Sequence, residues 1–272
     1  MLSRSLEHNI LLLWRRLSSI PLALFLVLWL LIPAGGAEIK GARFNTVVGS
    51  VTTQSTAAGL RRAALNQIVG DNTTVRTGAR SRTELTLANQ GVARLWEKTV
   101  LNVKDAGRTL FLEDGAMFLD IPAGAELANI RGAGIAIEVA GTSAVLEYHP
   151  QVFKLLVLKG TARLYRPGHV GDSVLVTAGQ LVFGNPNAAL SDPVDFDLKH
   201  FLQTSRFITE FPPLRNQGSI ASEIQRQERE KSRKVLMETN LVMYGGGTSV
   251  SATNRPGGKD SPTAGSTRGA GP

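Results

Sequence analysis

Ile137-Glu-Val139-Ala-Gly141-Thr142 and the later Val157-Leu-Lys-Gly160-Thr-Ala-Arg163 decide the fold, and their glycines stand 19 residues apart. Ile135, Ile137 and Val139 alternate with other residues up to Gly141, and Phe153, Leu155 and Val157 do so in the run that ends at Gly160. Period two is the signature of a strand with one buried face. The same pattern extends outward in both directions. Thr83, Leu85 and Leu87 alternate with Arg82, Glu84 and Thr86. Met117, Leu119 and Ile121 alternate with Phe118 and Asp120, Ile135 with Ala136, and Phe153, Leu155 and Val157 with Lys154, Leu156 and Leu158. No stretch of residues 43–185 sustains a 3.6-residue period, and Pro122, Pro150 and Pro167 all fall between strand candidates, where a missing backbone donor does least harm.

Glycines punctuate these strands at Gly49, Gly70, Gly91, Gly115, Gly141, Gly160 and Gly179, with spacings of 21, 21, 24, 26, 19 and 19 residues. A corner about every twenty residues predicts an all-β domain over 43–185, built as a β-solenoid-like roll or, alternatively, as a β-sandwich. Past Phe183 the pattern changes. Leu198, Phe201, Leu202 and Ile208 share a helical face with Asp195 or Asp197 as cap, and Phe211-Pro-Pro-Leu214 ends that helix. A second helix is expected from about Ser219 to about Glu238, with Glu230 and Lys234 as an i,i+4 pair. The helical extension thus spans 192–240. From Gly245 to the end, eight glycines in 28 residues and no apolar period predict a disordered tail.

The N-terminus has the layout of an export signal. A basic stretch, Met1 to Arg16, precedes the 13-residue apolar run Ile20–Ile32, which exits through Pro33-Ala34-Gly35-Gly36-Ala37 to Glu38. Residues 1–37 read as a signal peptide cleaved after Ala37. The alternative is an uncleaved membrane anchor, although the run falls short of the ~20 residues that span a bilayer. The surroundings of Arg15-Arg16 match a twin-arginine signal poorly.

Composition narrows the function. There is no cysteine among the 272 residues, so disulfides, thiolate nucleophiles and cysteine-held metals are excluded. The net charge of +8 is concentrated at the ends. The first 16 residues carry three arginines against one glutamate, and from Arg215 onward nine Lys/Arg stand against five Asp/Glu. A nucleic-acid binder concentrates positive charge on its folded domain; this near-neutral β-region does not, so no nucleic-acid partner is expected.

The ordered motifs resemble the FecR domain family, named for the ferric-citrate regulator. They are Val48-Gly49-Ser50-Val51, Gly70-Asp71 before Val75-Arg76-Thr77-Gly78, Ser81 to Leu87 leading to Gly91, Leu112-Glu-Asp-Gly115-Ala116, Gly141-Thr142, Gly160 and Ala178-Gly179-Gln180. The resemblance covers about 47–183, and Leu198–Phe211 looks like a closing element of stand-alone members. It implies a periplasmic or envelope β-domain in a bacterial protein. Members related to the regulator itself sit in the inner membrane, take a signal from an outer-membrane transporter and control a sigma factor through a cytoplasmic N-terminal tail. Here about 16–19 residues precede the apolar run, too few to fold a sigma-binding module, so that activity is not carried over. The matching positions Gly49, Gly70, Asp71, Thr77, Gly91, Gly115, Gly141, Thr142, Gly160 and Gly179 read as structural: glycine makes corners and threonine hydroxyls satisfy turn backbone.

No catalytic arrangement is visible. His149, His169 and His200 lack metal-ligand spacing and read as exposed. Gly132-Ala-Gly134 lacks the third glycine and helix of a dinucleotide loop. Asp71, Glu84, Glu97, Asp105, Glu113, Asp114, Asp120 and Glu138 read as solvated strand-face carboxylates. No Gly-x-Ser-x-Gly elbow or phosphate loop exists, and Asn72-Thr-Thr74 is only a formal glycosylation sequence. The expectation is a non-enzymatic, cofactor-free envelope module, for interaction or sensing, that contacts another envelope protein. Two alternatives stay open. One is a membrane-anchored signal-transduction regulator, touching the membrane only through an uncleaved N-terminal segment. The other is a binder of peptidoglycan or polysaccharide, for which aromatics are scarce at 6% and Trp96 is the sole tryptophan after the apolar run.

Overall fold

The computed structural model describes residues 41–215, 217–230, 236–239 and 248–251. The expected signal segment, 1–37, lies outside them. Seventeen strands belong to one connected sheet. They are β1 (Ala42–Val48), β2 (Val51–Ser55), β3 (Gly59–Arg62), β4 (Ile68–Val69), β5 (Thr73–Thr77), β6 (Arg82–Thr86), β7 (Val92–Leu95), β8 (Val100–Lys104), β9 (Thr109–Asp120), β10 (Ala128–Gly132), β11 (Ile135–Val139), β12 (Ser143–His149), β13 (Val152–Lys159), β14 (Thr161–Tyr165), β15 (Ser173–Thr177), β16 (Gln180–Gly184) and β17 (Val194–Asp195).

The sheet divides into two layers. The front runs β4–β1–β6–β7–β9–β12–β13–β16–β17. The back runs β3–β2–β5–β8–β9–β10–β11–β14–β15. Strand β9 belongs to both: Thr109–Asp114 pairs with β8 in the back, and Gly115–Asp120 pairs with β12 in the front. Every pairing in this sheet is antiparallel except β9–β10.

The corner periodicity is present, and its unit is a hairpin. Gly141 joins back to front, Gly160 front to back and Gly179 back to front, with one antiparallel hairpin between successive corners. A solenoid would stack parallel coils; here the sheet rolls over so that two layers face each other. Gly160 shows why glycine is needed. Its φ is +77°, and a Cβ there would meet the Gly141 carbonyl oxygen at 2.8 Å and Thr142 Cα at 3.1 Å. Gly70 and Gly91 differ from the expected corners: the left-handed positions beside them are Asn72 and Gln90. Gly91 is required for space instead, since its Cβ would fall 2.6 Å from Ile121 Cδ1.

Between the layers lies the main core. The front contributes the row Leu95–Met117–Leu146–Leu155–Val182, and the back contributes Val103–Leu110–Ile130–Ile137–Leu164–Val174. A second core covers the outer side of the front layer. Helices α1 (Leu198–Thr204), α2 (Arg206–Thr209) and α3 (Gln217–Glu230) follow β17. Phe196, Leu198, Phe201, Phe207, Phe211, Leu214 and Ile220 pack on Ala116, Phe118, Val145, Leu156, Leu158 and Leu181. Leu156 and Leu158 therefore do not face water, and the β13 alternation conceals a strand buried on both sides.

Asp197 caps α1, accepting from His200 N–H at 2.9 Å. The single helix expected through Ile208 is two, because Ser205 is extended (φ −70°, ψ 125°). The second helix is described to Glu230; β18 (Leu236–Thr239) then occupies part of its expected span and pairs with β19 (Thr248–Ser251), inside the segment expected to be disordered. Residues 252–272 lie outside the described residues. Among the described residues no helix is long and apolar enough to cross a membrane.

Gly160→Val is expected to destabilise the chain by roughly 1–3 kcal/mol, since left-handed strain and backbone contact add. A thermal-unfolding midpoint equal to that of the parent would overturn the corner assignment.

Candidate functional site

The front layer's outer face carries an unusual set of charges. A row of directly opposed residues crosses it: Glu84 on β6, Arg94 on β7, then Phe118, Val145, Leu156 and Leu181. Strand alternation places all six outward, where the C-terminal segment covers them. Glu84 and Asp120, expected as solvated carboxylates, are buried, as are Arg94, Glu147 and Lys154. The cause is the helical cover, which arrives from more than 75 residues later in the chain than Asp120.

Arg94 is the node. Its Nε lies 2.9 Å from Glu84 Oε2. Its Nη1 donates to the Phe207 carbonyl at 2.7 Å, and Nη2 donates to the Pro212 carbonyl. The guanidinium also sits 5.4 Å from the Phe118 ring centre and 5.1 Å from that of Phe211. Burial pulls the Arg94 pKa below its ordinary value, and Glu84 opposes that pull. One planar cation, bonding through three nitrogens, thus ties β6, β7 and the segment 207–212 together. Arg82 adds a bond to the Glu210 carbonyl at 3.1 Å. At the other end of the cover, Gln227 donates to the Phe196 carbonyl at 2.6 Å and accepts from Leu198 N–H at 3.1 Å. Beside Arg94, a cleft of about 180 Å³ is lined by Asn45, Glu84, Asp120 and Pro212.

A second polar chain lies nearer the β12–β13 turn. Lys154 Nζ is 3.3 Å from Glu147 Oε2, His149 Nε2 is 3.7 Å from Glu147 Oε1, and His149 Nδ1 is 2.7 Å from Asp114 Oδ1. His149, expected to be exposed, is partly buried between two carboxylates. Burial lowers the Lys154 pKa, with Glu147 opposing. Among the described residues, no group of three or more His, Cys, Asp and Glu is placed to hold a metal.

The motif positions do not converge on one site. Gly49, Gly141, Gly160 and Gly179 lie at crossings between layers, as do Gly70 and Asp71 between β4 and β5, while Gly115 lies inside β9 and Gly91 lies in the β6–β7 turn. Thr77 Oγ1 donates to the Trp96 carbonyl and accepts from Thr99 N–H at 2.9 Å. Thr142 Oγ1 donates to the Ala140 carbonyl at 2.9 Å and lies 2.6 Å from the Thr161 carbonyl. Sequence reasoning missed Arg94, Glu147 and Lys154. The available signal was a charge at the outward position of a strand whose other outward neighbours are apolar.

Three apolar side chains stand in the open along the β3–β4 segment: Leu60, Leu65 and Ile68, at 67%, 61% and 59% exposure. Arg61 and Arg62 are exposed beside them. At the opposite end of the back layer, the β14–β15 loop curls over a hollow of about 290 Å³ lined by Arg163, Tyr165, Arg166 and Val170. Arg166 closes onto Asp172 at 2.9 Å and the Asn187 carbonyl at 3.1 Å.

Arg94→Met is expected to destabilise by about 3–5 kcal/mol, because it leaves a buried carboxylate and two carbonyls behind. Hydrogen exchange across 206–212 is expected to accelerate, and combining it with Glu84→Leu should recover part of the stability. Unchanged exchange in that segment would remove Arg94 as the anchor. For Lys154, a depressed pKa means that the folded chain releases this proton before the unfolded chain does. Its contribution is fully present above 10.5 and is lost as pH falls through the lowered value. A Glu147→Leu, Lys154→Met double variant is expected to lack that rise in stability toward alkaline pH, read by denaturant midpoints across the range.

No curated protein sequence matches this chain. Two crystal structures of a candidate anti-sigma factor from Parabacteroides distasonis are similar over 48% of this chain, at 13% identity and a TM-score of 0.40. The chain spans 65% and 64% of their lengths, just under two thirds. The family model described as FecR protein matches residues 73–163, from the first residue of β5 to the third of β14. That range is narrower than the motif coverage and contains Thr77, Gly91, Gly115, Gly141, Thr142 and Gly160. The strands from β5 into β14 are thus the part of the chain that is similar to the FecR family.

Proposed function

We propose that this protein is a non-catalytic interaction and sensory module of the bacterial cell envelope, exported and acting through contact with another envelope protein. The observation that carries this reading is the exposed apolar trio Leu60, Leu65 and Ile68 with Arg61 and Arg62 beside it. Apolar surface rimmed by charge is the usual composition of a protein-binding patch. The rim calls for a partner with an apolar centre and acidic surroundings. The FecR match over residues 73–163 supports a regulatory role for the domain that carries the patch. A polysaccharide-binding role is less favoured by the placement of Trp96. Its ring packs at 6.0 Å from Phe207 and 6.3 Å from Phe211, with Arg206 over it at 5.8 Å, so it is engaged in holding the helical cover. The anchored alternative depends on residues 17–32, outside the described residues.

A photo-crosslinking residue placed at Leu65 is expected to give one discrete adduct with an envelope protein. Leu60→Lys with Ile68→Lys is expected to abolish it while stability moves by no more than about 0.5 kcal/mol, as exposed positions do. If the adducts match those from a control at exposed Arg131, or survive the double variant, this patch is not the contact.

A further inference from the structure

We infer that strand β15 is a self-pairing edge that joins two copies of this chain across a two-fold axis. An unpaired strand edge invites another strand, and proteins blunt such edges with short strands, charges or proline. The two layers have four ends. β4 and β17, the front ends, are two residues each. β3 is four residues and carries Arg61-Arg62. β15 is the exception: Ser173-Val-Leu-Val-Thr177 is five residues long and has neither charge nor proline.

The ladder fixes which backbone groups are available. Ala178 N–H donates to the Gly160 carbonyl and Arg166 N–H to the Asp172 carbonyl, both at 3.1 Å. Bonded pairs in an antiparallel ladder alternate, so Val174 and Val176 bond to Leu164 and Ala162. Ser173, Leu175 and Thr177 then point their N–H and C=O groups away from β14. The Thr177 N–H is taken by Gln180 Oε1 at 3.1 Å.

The strand is a palindrome in kind: hydroxyl, valine, leucine, valine, hydroxyl. Laid antiparallel on a second copy about Leu175, it places Leu175 opposite Leu175, Val174 opposite Val176 and Ser173 opposite Thr177. The outward-pointing residues meet one another, as the alternation demands. Four hydrogen bonds form: two between the leucines, and one from each Ser173 N–H to the Thr177 carbonyl of the other copy. None needs the occupied Thr177 N–H. Leu175, 58% exposed in one copy, gains an apolar neighbour on the outer face, and no like charges meet across the axis. Such an isologous contact closes on itself. A five-residue edge buries well under the ~1,200 Å² of a stable interface, so the pairing is concentration-dependent. It leaves the Leu60–Ile68 patch free, since β3 and β15 are opposite ends of the back layer.

The full chain contains no cysteine, so single cysteines report register directly. Across a bonded antiparallel pair the Cα atoms are about 5.5 Å apart, within disulfide reach. Leu175→Cys is expected to link two copies on mild oxidation. Ser173→Cys is expected not to, because its two copies stand about 14 Å apart in this register. Leu175→Pro, which removes both central bonds at a position where the N–H is unused within the chain, is expected to lose the dimer in sedimentation velocity with no fall in the thermal midpoint. Three results would overturn the proposal: a parent chain that stays monomeric up to the highest concentration, equal linking at 173 and 175, or a dimer that survives Leu175→Pro. Linking of Leu175→Cys only to a different protein would overturn it too, and would assign the edge to that protein.

Discussion

Strand β9 is the constraint on which the architecture depends. Its 12 residues run without interruption from the back layer into the front, so neither layer can be placed independently of the other. The bend is made at Gly115, whose φ is +98° and whose absent Cβ would overlap Thr99 Cα at 2.6 Å. Thr99 fixes that bend by bonding both backbone groups of Ala116, Oγ1 lying 3.1 Å from its nitrogen and 3.1 Å from its oxygen. From there the strand order propagates outward on each side, and the rows of opposed residues fall into register. A shift of one residue would turn every side chain over. The core tolerates no such shift, because Met117 and Leu119 face the inner cluster while Phe118 faces the helices.

Burying the front layer on both faces creates a problem that the charged residues answer. The outer row begins with Glu84 and Arg94, which would be costly to enclose unpaired. Together with Phe207 and Pro212 they satisfy one another, and the same bonds hold the helical cover in place. A buried ion pair of this kind contributes little net stability compared with apolar residues of the same shape. Its consequence is positional: only one docking of 207–212 puts two carbonyls at the fork of Arg94. Lys154 with Glu147 follows the same logic at the far end of the face. The helices are short, α2 only four residues, and such segments are marginal in isolation. Their order comes from the sheet beneath, through Phe196, Phe201, Phe207 and Phe211.

Much of this was legible in the amino acids, and the boundary of legibility has a physical cause. Alternation in Phe153–Leu158 and the corners at Gly141, Gly160 and Gly179 are local signals, since strand period and left-handed backbone are decided within a few residues. The Asp197 cap is local as well. Alternation does not say whether the second face meets water, however, because that depends on what chain returns to cover it. Leu156, Leu158, Glu84 and Asp120 were misjudged for that reason. His149 was misjudged because its partner Asp114 is 35 residues away. Gly70 and Gly91 show a finer limit. A glycine marks a turn, but the left-handed residue in these two is the neighbouring Asn72 or Gln90, whose polar side chains tolerate that region well enough to escape notice.

The distribution of open surface follows from the same geometry. A sheet rolled along one continuous strand still has four free ends. Two are reduced to dipeptides, and the helical cover occupies the outer face of the front layer only. The two terminal strands of the back layer, β3 and β15, each present an exposed leucine that a partner could meet, Leu60 and Leu175. These differ in chemistry. One is short, guarded by arginines and adjacent to apolar side chains that no backbone pairing could cover, so it suits side-chain recognition. The other is uncharged and longer, with main-chain groups directed outward, so it suits strand pairing. Seven strands of the back layer separate them, and Gly115 couples that layer to the front. A partner seated at one end therefore leaves the other end open.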